Sequence, residues 1–144
     1  MNIQKLGHSL AQAARWQRRY EADNLRQFNL GPRTLPFFLA IAHEEGISQK
    51  DLMNKLLTDK TRTTKAVNHL VEAGYVQRQS NCKDNRVKGV FLTDKGRTIF
   101  PPVKRILNRL DGLLSDKLSE EDLEQLIMML DAFSSAVQQD MEKQ

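Results

Sequence analysis

The sequence predicts a mainly α chain with one small β-hairpin, an α+β arrangement in which a helix-turn-helix leads into the hairpin. Three observations predict it. Apolar residues recur at helical spacing along most of the 144 residues. Capping and stop signals cut the stretch between 34 and 74 into short helices joined by tight turns. Residues 75–79 and 87–92 are short, strand-like runs separated by Ser80, Asn81, Lys83, Asp84 and Asn85.

Each element has its own signal. Ile3, Leu6, Leu10, Ala13, Ala14, Leu25 and Phe28 predict a long first helix over residues 3–28, of a length that often serves interfaces; Asn29, Gly31 and Pro32 stop it. A second helix starts near Arg33 or Thr34 and tolerates Pro36 in its first turn. Leu35, Phe37, Phe38, Leu39 and Ile41 make it almost wholly apolar, so it belongs at the centre, and Gly46 ends it. Ser48 with Asp51 resembles a capping box opening a short helix with Leu52, Leu56 and Leu57 inward. Thr58 and Asp59 are both N-cap candidates for the next helix, which runs to about Ala73 and stops at Gly74. After the hairpin, Thr93 caps a helix over 94–114, where Pro101 and Pro102 mark a kink or break. Ser119 and Asp122 open a last amphipathic helix carrying Leu123, Leu126, Ile127, Leu130, Phe133, Ala136 and Val137.

The net charge of +4 is modest, but its distribution is uneven. Residues 1–47 hold six basic against four acidic side chains, residues 48–97 eleven against five, and residues 98–144 five against nine. The middle third is thus the part suited to a polyanion. No apolar run approaches the roughly 20 residues of a membrane span. Gln4, Lys5, His8, Gln12 and Arg15 interrupt any signal-peptide core, and the lone Cys82 excludes an intrachain disulfide, so a reducing cytoplasmic setting is expected.

On a wheel of about 100° per residue, the helix from Lys60 turns Thr63, Val67, Leu70 and Gly74 to one side. Thr61, Lys65, Asn68 and Glu72 point the opposite way, with Arg62 and His69 beside them. Thr61, Arg62, Thr64, Lys65, Asn68 and His69 are therefore the candidates to contact phosphates and base edges. In the hairpin the candidates are Lys83, Asp84, Arg86 and Lys88. Asp84 and Arg86, two apart on extended backbone, share a side, and a carboxylate there can hold a guanidinium in one direction for a narrow groove. A solvated basic face and an ordinary surface ion pair are the plain alternatives for helix and hairpin respectively.

The stretch DKTRTTKAVNHLVEAGYVQR, the KDNR of the hairpin and the FLTDKG after it resemble the MarR family of winged-helix transcription regulators. The likeness extends to the long first helix, the LGPR turn and the SEEDLEQL opening the last helix. It implies a homodimer with residues 1–33 and 98–144 as the helical dimerisation region, and 34–97 as a winged helix-turn-helix that binds double-stranded DNA. It also implies a sequence-specific repressor, released from a pseudo-palindromic operator by a small ligand or other signal. By match to the motif Arg86 enters the minor groove and Asp84 orients it. Lys65 stands where the family usually has arginine, and Asn85 also replaces a frequent arginine, which weakens base specificity more than binding itself. A small anionic or aromatic ligand is implied between dimer helices and head, with Arg15, Trp16, Phe37 and Phe38 as candidate lining residues.

No enzyme is expected. The three histidines, at 8, 43 and 69, lack ligand spacing, the His43-Glu44-Glu45 run lacks the second histidine of a zinc motif, and no glycine-rich phosphate loop or GxSxG motif occurs. Neither a metal nor a cofactor is implied. Cys82 beside Lys83 reads as a surface thiol, with redox sensing as the alternative. The rival functions are a winged-helix module that contacts protein, and a ligand-binding protein without DNA binding.

Overall fold

The computed structural model describes residues 3–81 and 84–144, side chains at 81–87 excepted. Among the described residues the elements run α1 (Ile3–Leu25), α2 (Leu35–His43), β1 (Ile47–Ser48), α3 (Gln49–Lys55), α4 (Lys60–Glu72), β2 (Val76–Asn81), β3 (Asp84–Leu92), α5 (Asp94–Ser115) and α6 (Glu120–Glu142). The chain divides into two units, Met1–Ile106 and Leu107–Gln144.

The first helix ends three residues earlier than its apolar pattern predicts. Arg26–Phe28 tighten into a 3-10 turn, and Asn29, at φ 55, closes it with its N–H on the Arg26 carbonyl. A short polar side chain tolerates that left-handed conformation. Thr34 then bonds both backbone groups of Gly31, accepting from its N–H at 3.2 Å and donating to its carbonyl at 3.3 Å. This fixes the entry into α2.

As its composition predicts, α2 is central: Leu35, Phe37, Phe38, Ala40 and Ile41 are buried. The Phe38 ring, 0% exposed, packs tilted against Tyr75 and Phe100 with centroids 6.0 and 6.2 Å away. Around it stand Leu25, Leu52, Val67, Leu70, Val76, Val90 and Val103, all fully or nearly fully buried. Burying a side chain of this kind contributes roughly 1.5–3 kcal/mol before the entropy cost of ordering the chain.

The sheet has three strands, in the order β1-β3-β2, rather than the two of a bare hairpin. Ile47 and Ser48 pair antiparallel with Val90 and Gly89. A Cβ on Gly89 would stand 2.5 Å from the Gly46 carbonyl oxygen, so the third strand exists because residue 89 has no side chain. The hairpin loop is also shorter than predicted. Ser80 and Asn81 belong to β2, and Asp84 and Asn85 to β3, with an irregular register between Ser80 and Asn81. Backbone pairing to Asn81 and Asp84 overrides the turn preference of these polar residues.

Two further expectations are corrected. Leu57 does not point inward: at φ 51 it turns the chain between α3 and α4 and is 76% exposed, while Leu52 is fully buried. Of the kink or break expected at Pro101 and Pro102, the break does not occur, since α5 continues through them. They deprive only the carbonyls one turn earlier of an N–H partner, a loss the rest of the helix tolerates. In the second unit, Ser119 and Asp122 form the reciprocal box: Asp122 N–H donates to Ser119 Oγ at 3.1 Å and Ser119 N–H to Asp122 Oδ2 at 3.3 Å. No residue of α6 is buried, although Leu126, Ile127, Leu130, Phe133 and Val137 line it. No helix of the described residues is long and apolar enough to cross a membrane.

Candidate nucleic-acid interface

Helix α3 begins with Ser48 Oγ accepting from the Asp51 N–H at 3.1 Å, and α4 with Asp59 Oδ1 accepting from the Arg62 N–H at 2.8 Å. Of the two candidate caps for α4, the aspartate takes the position. Thr63, 1% exposed, donates to the Asp59 carbonyl at 2.8 Å, and Ala66, Val67 and Leu70 bury the inner face. That fixes the rotation of α4 and decides which residues remain outside.

Thr61, Arg62, Lys65, Asn68 and Glu72 are exposed, as the wheel predicts, while Thr64 is half-buried. Arg62 lies 3.6 Å from Asp59 Oδ2, with both side chains well exposed, a pair worth little on its own. Among the described residues Lys65 has no hydrogen-bonding or ion-pair partner, which leaves its charge available to phosphate. His69 differs from its neighbours. It is half-buried, and its Nε2 meets the Asn29 carbonyl at 2.9 Å, a contact that needs the proton on that nitrogen. Its ring therefore ties α4 to the turn after α1.

On the wing, Lys88 is exposed on β3 opposite Ser80. Asp84 and Arg86 fall in β3, but their side chains, like Lys83 and Cys82 altogether, lie outside the described residues.

Arg78 and Gln49 were not among the sequence candidates. Arg78, on β2, donates through Nε to Gln49 Oε1 at 2.8 Å and through Nη2 to Asn68 Oδ1 at 2.6 Å. One guanidinium thus joins wing, α3 and α4. Contacts spanning 29 and 10 residues leave no mark in local periodicity.

Beside the inner end of this surface is a cavity of about 630 Å³, lined by Arg33, Thr34, Phe37, Arg62, Lys65 and His69 among others. Of the four residues proposed for a ligand pocket, it contains Phe37. Phe38 is core, and Arg15 and Trp16 are exposed on α1, where Arg19 stacks over the Trp16 ring at 5.4 Å. Among the described residues no group of His, Cys, Asp or Glu is arranged to hold a metal.

The MarR family profile matches residues 28–86, which takes in α2, α3, α4 and most of the wing. The chain is similar to the HTH-type transcriptional regulator BilQ of Clostridioides difficile, 24% identical over 94 residues, 65% of this chain and 64% of that one. That alignment spans a little under two thirds of BilQ. Among solved structures, a MarR transcriptional regulator from Methanosarcina mazei Go1 superposes with a TM-score of 0.81 at 28% identity, over 94% of this chain and 98% of that one. Reduced AbfR bound to DNA shares the fold, with a TM-score of 0.74 at 18% identity over 94% of each chain.

Proposed function

We infer from the family match over residues 28–86 and the likeness to a solved MarR transcriptional regulator that this chain is a MarR-family winged-helix regulator, a homodimeric repressor that occupies a pseudo-palindromic operator. It is a regulator and not an enzyme. The observation that carries the DNA reading is Lys65, without a partner among the described residues, in the exposed row Thr61, Arg62, Lys65 and Asn68, on a capped helix whose other face is locked in the core. Side chains of this kind donate to phosphates and base edges. The same row argues against a protein-contacting module, which requires an apolar patch there.

In this reading residues 34–97 form the DNA-binding head, and residues 1–33 with 98–144 form the dimerisation region. Support for the dimer comes from α6, where Leu126, Ile127, Leu130, Phe133 and Val137 are exposed along one helix. The two α4 helices would enter successive major grooves about 34–36 Å apart, with Thr64 and His69 flanking the contact row. Lys83 and Lys88 on the wing would follow the backbone, with Arg86 entering the minor groove and Asp84 orienting it. The cavity under α4, with Arg33, Arg62 and Lys65 around Phe37, fits a small anionic aromatic effector that shifts the heads and releases DNA. A cytoplasmic setting goes with this reading.

Titration onto the DNA upstream of its own gene tests this. Binding should weaken steeply with salt, and Lys65→Ala with Arg86→Ala should reduce the salt slope by about two. Undiminished binding by the double variant would remove these residues from the interface.

A further inference from the structure

The contacts of Arg78 determine what the reading helix can recognise. A guanidinium donates and never accepts, so both amides that meet it must present their oxygen. Asn68 Oδ1, at 2.6 Å from Nη2, and Gln49 Oε1, at 2.8 Å from Nε, are oriented by that requirement; the flipped amides would set N–H against N–H. Asn68 and Arg78 are exposed and Gln49 is half-buried, and with Oδ1 bonded to Arg78 the Asn68 NH2 is the end of the amide with no partner among the described residues.

This matters for base recognition. Asparagine recognises adenine by a paired contact, donating to N7 and accepting from the N6 amino group. With one lone pair of its oxygen taken by Arg78 and the amide plane held by that bond, Asn68 keeps both donors and offers adenine a weaker acceptor. Guanine shows two acceptors in the major groove, N7 and O6, which one NH2 can serve. The charge of Arg78 behind the amide acts in the same direction, favouring the guanine carbonyl over the adenine amino group.

We infer that Arg78 is a positioning residue that sets Asn68 to select guanine over adenine in the major groove. The inference rests on α4 being the DNA-reading helix proposed above. Removing Arg78 frees the Asn68 oxygen, so the preference moves toward adenine rather than merely fading.

The test is selection of bound duplexes from a randomised operator pool by the full-length protein. The position read by Asn68 is the one whose preference disappears in Asn68→Ala. Wild type is expected to favour guanine there. Arg78→Met and Arg78→Ala should each shift the guanine-to-adenine ratio by roughly tenfold toward adenine, the scale of one paired base contact. Arg78→Lys, which still donates to Oδ1, should keep guanine. A merely structural role for Arg78 would weaken all sequences alike and leave the ratio unmoved. Two variants at residue 78 guard against misfolding of one, with helical content checked by circular dichroism. An adenine preference in wild type, an unmoved ratio in the variants, or no position altered by Asn68→Ala would overturn this inference while leaving DNA binding intact. Absence of salt-dependent binding by wild type would overturn the DNA reading and this inference with it.

Discussion

Glu45 and Arg97, 52 residues apart, meet through one oxygen: Glu45 Oε1 accepts from Arg97 Nη2 at 2.9 Å and also from the Leu92 N–H at 2.9 Å. The carboxylate thus fastens the last residue of β3 to the first turn of α5. Glu45→Gln retains an acceptor for the part-buried Leu92 N–H and should cost well under 1 kcal/mol, since the ion pair is half exposed. Glu45→Ala leaves that N–H unsatisfied and should cost about 1–3 kcal/mol. Urea midpoints of the two variants measure the difference; equal losses would show that the strand end does not depend on this acceptor.

Two glycines in α5 should respond to alanine with opposite signs. A Cβ on Gly96 would collide with the Tyr75 carbonyl oxygen, whereas Gly112 has nothing within 4 Å. Gly96→Ala should lose about 1–3 kcal/mol through overpacking. Gly112→Ala should gain roughly 0.5–1 kcal/mol from helix propensity. Thermal melts read both, and stabilisation by Gly96→Ala would contradict the close approach.

Asp59 serves the fold and opposes the proposed ligand. Its carboxylate caps α4, yet it also places a negative charge beside Arg62 at the end of the helix that would approach phosphate. Asp59→Asn keeps a capping oxygen and removes the charge, so stability should hold within a few tenths of a kcal/mol while DNA affinity rises. Asp59→Ala should lose about 1 kcal/mol of stability. Fluorescence anisotropy on an operator duplex, run beside a denaturant series, separates the two effects.

Tyr75 makes the fold sensitive to alkali. It is buried, its hydroxyl donates to the Phe28 carbonyl, and burial raises its pKa above the ordinary value of 10.0. The folded state therefore holds the proton longer than the unfolded chain does. The stabilisation is fully present below pH 10 and is lost as pH rises through the folded value. Tyr75→Phe should lose about 1 kcal/mol at neutral pH and flatten this alkaline decline. A decline of unchanged steepness in the variant would assign it to other groups.

What could be read from the sequence was local. Ser48, Asp59 and Ser119 announced their helices because a cap bonds the backbone only two or three residues away. The exposed row on α4 followed from periodicity alone. What escaped depends on distant partners. The two-residue strand at Ile47 and Ser48 exists only because Gly89 permits it to approach. Leu57 looked apolar enough for the core, but the turn it occupies takes it outside. Arg78 gave no sign of its role, since a strand residue declares its neighbours only once the register and the facing helix are set.

The rear of α4 is held by backbone contacts of its own. Lys95 Nζ donates to the Ala73 carbonyl at 2.8 Å, the Thr93 hydroxyl to that of Gly74, and the Thr93 N–H to that of Tyr75 at 3.0 Å. Three consecutive carbonyls at the exit of α4 are thus gripped by the opening of α5. Mechanically this is a clamped beam: α4 has no pivot at its rear about which to roll alone. A shift in its aim has to be made by carrying the start of α5 with it.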